Sequence, residues 1–306
     1  MKNRKLIEYI VLVVVGVVIV DVFFRLIFAP IFNNPPLNTK AGNTYKFVSY
    51  KKPAEIAILG ASRANRHYRS RQIMDSLGVS VYNYGSQGRC IFYQYLCLLR
   101  GIENGGLRTV ILDLADAQLS KEWVNGRISD LYPYYWESDE VKRIVDEVEG
   151  KDMGVFMLSA LIQYNSQYFN FVAPMVNDNG YIPLPYTGKS FDVNVSKKDK
   201  KTDNIKKEIE TDNSHSEIAI KYLIKISSIC KNNDIKFVVC LSPSLGVSEE
   251  IEKYLISLCS KNGITCWNKT HYLSDTKLFY NATHLNDKGA EIFTKEIVNM
   301  LKANNL

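Results

Sequence analysis

An α/β domain built on a parallel sheet, carried behind one apolar N-terminal helix, is the architecture this sequence predicts. Three observations carry the expectation. Short apolar runs end in small or Gly-containing turns, as in "EIAILG" (55–60), "VSVYNYGSQG" (79–88) and "RTVILDLA" (108–115). Helix-like segments alternate with these runs through short connections, as a parallel sheet covered on both faces requires. A mostly apolar stretch from Leu6 to Ala29 precedes them, led by Lys2, Arg4 and Lys5.

In chain order, the apolar stretch comes first. Its length of about 24 residues gives roughly 36 Å of helix, enough to cross a hydrocarbon core of about 30 Å. Pro30 and the Asn33-Asn34-Pro35-Pro36 cluster are the expected stop. Asp21 and Arg25, four apart on one helix face, are expected to pair near the far interface. The positive flank keeps the N-terminus cytoplasmic and the rest of the chain outside. Residues 1–32 therefore read as a cytoplasmic flank and transmembrane anchor, 33–53 as a linker, and 54–306 as one domain.

Within that domain "EIAILG" is the first strand, "RSRQIMDSLG" a helix closed by Gly78, "VSVYNYGSQG" a second strand, "CIFYQYLCLLRGIENG" a helix and "RTVILDLA" a third strand. Residues 118–212 interrupt the alternation and read as an insertion. It is rich in aromatic residues, among them Trp123, Tyr132, Tyr134, Tyr135, Trp136, Tyr164 and Tyr168, which would serve as a sugar-binding platform or as a lid packed on the sheet. The pattern resumes with a helix at 215–232, strand "IKFVVCLSP", a helix at 248–262, strand "GITCWN" and a last helix near 286–303.

The bulk composition narrows the function classes. The chain has 306 residues, 46% hydrophobic and 23% charged, with a formal charge of +6. Its dense basic run, Lys197–Lys207, has no interleaved aromatics and reads as a solvated face, so no nucleic-acid partner is expected. The six cysteines show no CxxC spacing, and no metal or organic cofactor is implied.

Three segments carry the chemistry. Gly60-Ala61-Ser62-Arg63 ends the first strand, Asn83-Tyr84-Gly85-Ser86-Gln87-Gly88 ends the second, and "NATHLNDKG" (281–289) precedes the last helix. In a parallel sheet the strand C-termini share one edge, where ligands bind. Ser62 is a weak nucleophile until a base takes its proton, and His284 is a natural base near neutral pH. The Ser62 and Gly85 amides are candidate donors to an oxyanion, with glycine at 85 allowing the close approach and unusual φ that such a turn demands. A nucleotide-binding loop is the weaker reading of the second segment, which does not match GxGxxG.

These segments, in this order, resemble the SGNH/GDSL hydrolase superfamily. "ILGASR" is similar to its nucleophile block, "NYGSQG" to its glycine oxyanion block and "NATHLNDKG" to its last block, whose pattern is Asp-x-x-His. The resemblance covers residues 54–118 and 234–303. It implies a flavodoxin-like α/β/α sandwich with Ser62 as nucleophile, His284 as base and Asn281 in the orienting position. That position departs from the pattern. An Asn holds an imidazole without stabilising imidazolium by charge, and Asp275, Asp287 or a backbone carbonyl are the alternatives for the orienting role. The block that normally brings an oxyanion Asn is here "LDLADAQ", without one. Membrane-anchored variants with Arg after the serine resemble proteins that move acyl groups onto envelope polymers. This implies a carbohydrate or envelope-polymer substrate and a membrane acyl-donor protein as partner. Arg63, with Asn83, is then a candidate for substrate binding, or Arg63 pairs with Asp113 or Asp116. The rival expectation is a non-catalytic binding or assembly protein that keeps the fold.

Overall fold

The computed structural model describes residues 2–33, 46–164, 179–190 and 215–305. They fall into two compact units, Met1–Tyr45 with Ile128–Pro174, and Lys46–Arg127 with Met175–Leu306. The basic run at 197–207 and Tyr168 lie outside the described residues.

The second unit holds the sheet. Five strands, β1 (Ile56–Gly60), β2 (Val81–Asn83), β3 (Thr109–Asp113), β4 (Lys236–Leu241) and β5 (Thr265–Asn268), pair in the order β2-β1-β3-β4-β5, all parallel. This is the flavodoxin-like order, in which the ligand crevice lies beyond the strand C-termini where the winding reverses, between β1 and β3. β1 and β3 are buried along their whole length, which explains why they read as continuous apolar runs rather than alternating ones. Helices Ser62–His67 and Ser70–Leu77 pack with the last helix, Asp287–Ala303, while helices Ile91–Asn104 and Glu217–Asn232 pack together against β1 and β4. The apolar side chains of Ile58, Ile111, Val238, Phe293 and Ile297 fill one side of the sheet. A short antiparallel hairpin, β6 (Phe279–Asn281) and β7 (His284–Leu285), lies between β5 and the last helix in the chain.

The stretch read as a linker contains a helical turn, Lys46–Ser49. Lys46 is fully buried and donates from Nζ to the carbonyls of Asn83 (2.9 Å), Gly85 (2.8 Å) and Gly180 (3.5 Å). A lysine ammonium has three donors and no acceptor, so three carbonyls satisfy it without a carboxylate. Burial nevertheless pushes it down to about 7.

The first unit is built on helix Lys2–Asn33. The helix runs through Pro30 rather than stopping there, ending one turn later at Asn33. Its span Arg4–Pro30 is long and apolar enough to cross a membrane, with a mean hydropathy of 2.9. Phe32 stacks on Tyr164 and meets the Tyr134 ring edge-on. Of the insertion aromatics, Tyr132, Tyr134, Tyr135 and Tyr164 are buried and Trp136 is exposed. The Tyr135 hydroxyl bonds to Asp146, and that of Tyr132 to Glu149.

Lys46 yields a pH signature. The unfolded chain keeps the lysine proton to about pH 10.5, while the folded chain releases it near 7. Over that window unfolding takes up a proton, so stability rises with pH, by about 1.4 kcal/mol per unit for one full proton. Chemical denaturation between pH 7 and 10 is expected to show this slope in the wild type and its loss in Lys46→Met. An identical slope in both proteins would contradict the assignment.

Candidate active site

Ser62 stands at the first position of helix Ser62–His67, two residues beyond the end of β1. The turn that presents it depends on Gly60, whose φ is +143° and whose added Cβ would lie 2.6 Å from Ala64 Cβ and 2.7 Å from the Asp113 carbonyl oxygen. No other residue fits that backbone and that space. The helix is then fixed from below. Buried Arg63 donates from Nε to Asp113 Oδ1 at 3.1 Å and also binds the Leu114 carbonyl, while the Tyr68 hydroxyl donates to Asp113 Oδ2 at 2.8 Å. Of the two roles the sequence left open for Arg63, the structure shows the pairing with Asp113. Asp116 instead pairs with His215 at 2.7 Å.

The hairpin β6–β7 carries His284, the candidate base. Ser62 Oγ lies 2.7 Å from His284 Nε2. Asn281 Oδ1 accepts from the backbone amides of Thr283 (3.0 Å) and His284 (2.9 Å), and lies 3.0 Å from His284 Nδ1. Two amide donors identify that atom as the oxygen. An oxygen facing Nδ1 can only accept, so Nδ1 carries the proton and Nε2 is left to accept from the Ser62 hydroxyl. The geometry thus selects the tautomer that a general base needs. Asp275 and Asp287 are engaged elsewhere: Asp275 accepts from the Lys277 amide at 3.0 Å, and Asp287 accepts from the Tyr181 hydroxyl at 2.6 Å.

His284 is half-buried, and its pKa falls to about 4 through burial first, then the charges of Arg66 and Arg63. It is neutral at physiological pH. With a neutral amide rather than a carboxylate behind it, Nδ1 has a hydrogen-bond acceptor but no countercharge to offset the cost of protonating the ring.

Gly85 requires a correction. Its N–H donates to Asn83 Oδ1 at 2.8 Å, so that amide is already committed and does not serve as an oxyanion donor. The glycine is demanded by crowding rather than by φ: a Cβ there would lie 2.5 Å from the Asn65 amide nitrogen. Asn83 is likewise corrected from a substrate contact. It is fully buried and donates from Nδ2 to the Ala64 carbonyl at 2.7 Å, tying the second loop to the Ser62 helix. The Ser62 amide lies at the first position of its helix, without an intrahelical partner.

Two residues beside the site carried no assigned role in the sequence reading. Arg66 holds a guanidinium close enough to His284 to depress its pKa, with side-chain bonds to the Ile182 carbonyl and Gln87 at 3.3 and 3.5 Å. His67 is fully buried. Its Nε2 accepts from the Leu285 amide at 3.0 Å, so Nδ1 donates to Ser242 Oγ at 2.9 Å. It therefore pins the backbone next to His284 from the same helix that carries Ser62. A helix bearing Ser62 and, five residues on, a histidine was the only available signal.

A family model matches residues 197–305. No curated protein sequence matches the chain. Among solved structures, the chain is similar to a GDSL-like lipase from Bacteroides thetaiotaomicron at 9% identity, with a TM-score of 0.41, covering 88% of this chain and 100% of that one. It is also similar to an acetyl xylan esterase at 11% identity, with a TM-score of 0.40, covering 80% and 98%. Similarity this faint leaves the chemistry to be read from the residues themselves.

His67→Ala removes the acceptor of a buried amide and the partner of a buried hydroxyl, and leaves a cavity. We expect a loss of about 2–4 kcal/mol in denaturant unfolding, with His67→Gln, which keeps an acceptor, recovering part of it. An unchanged stability in His67→Ala would show that this contact does not hold the hairpin.

Proposed function

We propose that the chain is a serine esterase or O-acyltransferase of the SGNH/GDSL type, anchored in a membrane with its sheet domain outside the cytoplasm. One observation carries the catalytic part: Ser62 Oγ, His284 Nε2 and Asn281 Oδ1 form a continuous relay in which each atom has the donor or acceptor state the chemistry needs. The substrate class, an O-acylated carbohydrate or envelope polymer, rests on the resemblance of the sequence segments and on the anchor reading.

In this reading Ser62 Oγ attacks the acyl carbonyl carbon as its proton passes to His284 Nε2. The carbonyl electrons move onto oxygen, to which the Ser62 amide is the available donor. Collapse of the tetrahedral intermediate breaks the bond to the alcohol oxygen, which takes the proton from Nε2. Water, or an acceptor hydroxyl, then attacks the acyl-serine by the same steps in reverse, giving hydrolysis or transfer. Asn281 holds the right tautomer but supplies no charge to the imidazolium, so slow turnover is the expected signature of this site.

The second reading is a non-catalytic binding protein that keeps the fold. The commitment of the Gly85 amide to Asn83 favours it, since fewer donors remain for an oxyanion. A fluorophosphonate probe separates the two. Labelling of the full chain that disappears in Ser62→Ala supports the enzyme, and absence of labelling in the well-folded wild type supports the binding protein.

The pH dependence is a further test. His284 must be unprotonated to act, and its pKa lies near 4, so kcat/KM for a small ester is expected to rise through pH 4 and stay level above it. In Asn281→Asp the new carboxylate stabilises imidazolium, moving the inflection upward and raising the plateau rate. An inflection near 6.5 in the wild type, or a slower and well-folded Asn281→Asp, would contradict this account of the site.

A further inference from the structure

We propose that the helical pair Gly154–Met157 and Ala160–Tyr164 is embedded in the outer leaflet of the bilayer beside the N-terminal helix, as a second, partial membrane contact. The inference rests on the anchor reading above, and it starts from the two charges inside the apolar span.

Asp21 and Arg25 lie 17 and 21 residues beyond Arg4 in one helix. At about 1.5 Å per residue that is roughly 26 and 32 Å, which brackets the far boundary of a hydrocarbon core about 30 Å thick. Bare charges there are costly, and each is matched to the same neighbour. The Asp21 carboxylate accepts from the Ser159 hydroxyl (2.6 Å) and from the amides of Ala160 (3.0 Å) and Leu161 (3.1 Å). Arg25 donates to the Leu158 carbonyl (2.7 Å) and to Gln163 Oε1 (3.3 Å). Backbone groups at the end of one helix and the start of the next are thus satisfied from within the protein. In water this would be optional. In hydrocarbon it is required, because nothing else can take those bonds.

The opposite side of the pair points the same way. Val155 is 79% exposed and Leu158 66%, with Phe156, Leu161 and Ile162 also open. A water-facing helical turn bound through its polar groups has no reason to present five large apolar side chains outward. These continue the exposed apolar surface of the N-terminal helix, whose Val22, Phe23, Leu26 and Ile27 are equally open. Trp136 borders the patch, exposed on one face while its indole N–H donates to the Met157 carbonyl at 3.2 Å. Lys151 lies 4.5 Å over the Phe156 ring. An amphipathic indole and a basic residue flanking an apolar patch are the arrangement found at the headgroup level of membranes. Continuity with the span selects lipid acyl chains as the occupant.

The test uses the full chain reconstituted in phosphatidylcholine–phosphatidylglycerol vesicles that contain a lipid with a diazirine near its acyl-chain end. After photolysis, adducts are mapped by peptide mass spectrometry. We expect adducts both on the N-terminal helix and on residues 155–162. Val155→Lys with Leu158→Lys should abolish the second set while leaving the first set and the melting temperature unchanged, since both side chains are exposed. Adducts confined to the N-terminal helix would overturn the inference and leave the anchor in place. Adducts on neither segment would overturn the anchor reading itself.

Discussion

Asp113 is the residue on which the site depends. It ends the central strand β3, is buried, and has both carboxylate oxygens bonded to the segment that follows β1, one to Arg63 and one to Tyr68. A carboxylate in that position is costly unless it is paired, and removing either partner of such a pair costs about 3–5 kcal/mol. The pairing therefore fixes the Ser62 helix to the middle of the sheet at the point where β1 and β3 diverge. Gly60 makes the approach feasible, and its register partner across the sheet is Asp113 itself. The nucleophile candidate owes its position to this contact together with the Gly60 turn that precedes it.

Around it the site is assembled from polar groups that hold one another. Lys46 gathers the carbonyls of the β2 loop, Asn83 links that loop to Ala64, and His67 reaches from the same helix to the backbone of the hairpin. The β2 loop and the hairpin are thus bound to the Ser62 helix or to its neighbour by buried polar side chains. The electrostatic cost falls on His284, which shares this polar cluster with Arg63 and Arg66 and has no carboxylate of its own.

Much of this was legible in the chain, for physical reasons that differ between elements. The strands were legible because burial on both faces makes them continuous apolar runs. Asn281 and His284 stood out because they lie three residues apart, so a local turn sets their relation. Arg63 was ambiguous because its partner is fifty residues away, and only the sheet register decides between Asp113 and Asp116. Gly85 misled because the residue that takes its amide, Asn83, was read as facing substrate, whereas a short amide side chain beside a turn competes for the nearest backbone donor. Lys46 was invisible within a polar stretch, since nothing local signals a lysine that will be buried. The aromatic-rich insertion left a sugar platform and a packed role open, because the burial of its tyrosines depends on partners such as Asp146, which accepts from the Tyr135 hydroxyl.

The base and its orienting amide share one hairpin, whereas the base and the nucleophile candidate are separated by 222 residues. The first contact closes a loop of a few residues and the second closes one that spans nearly the whole sheet domain. Loop-closure entropy makes the local pair easy to form in an incomplete chain, while the distant pair waits for β1, the last helix and everything between them to be in register. The Ser62–His284 contact is therefore a mark of complete folding, and a partly folded chain can hold His284 against Asn281 before the Ser62 hydroxyl arrives.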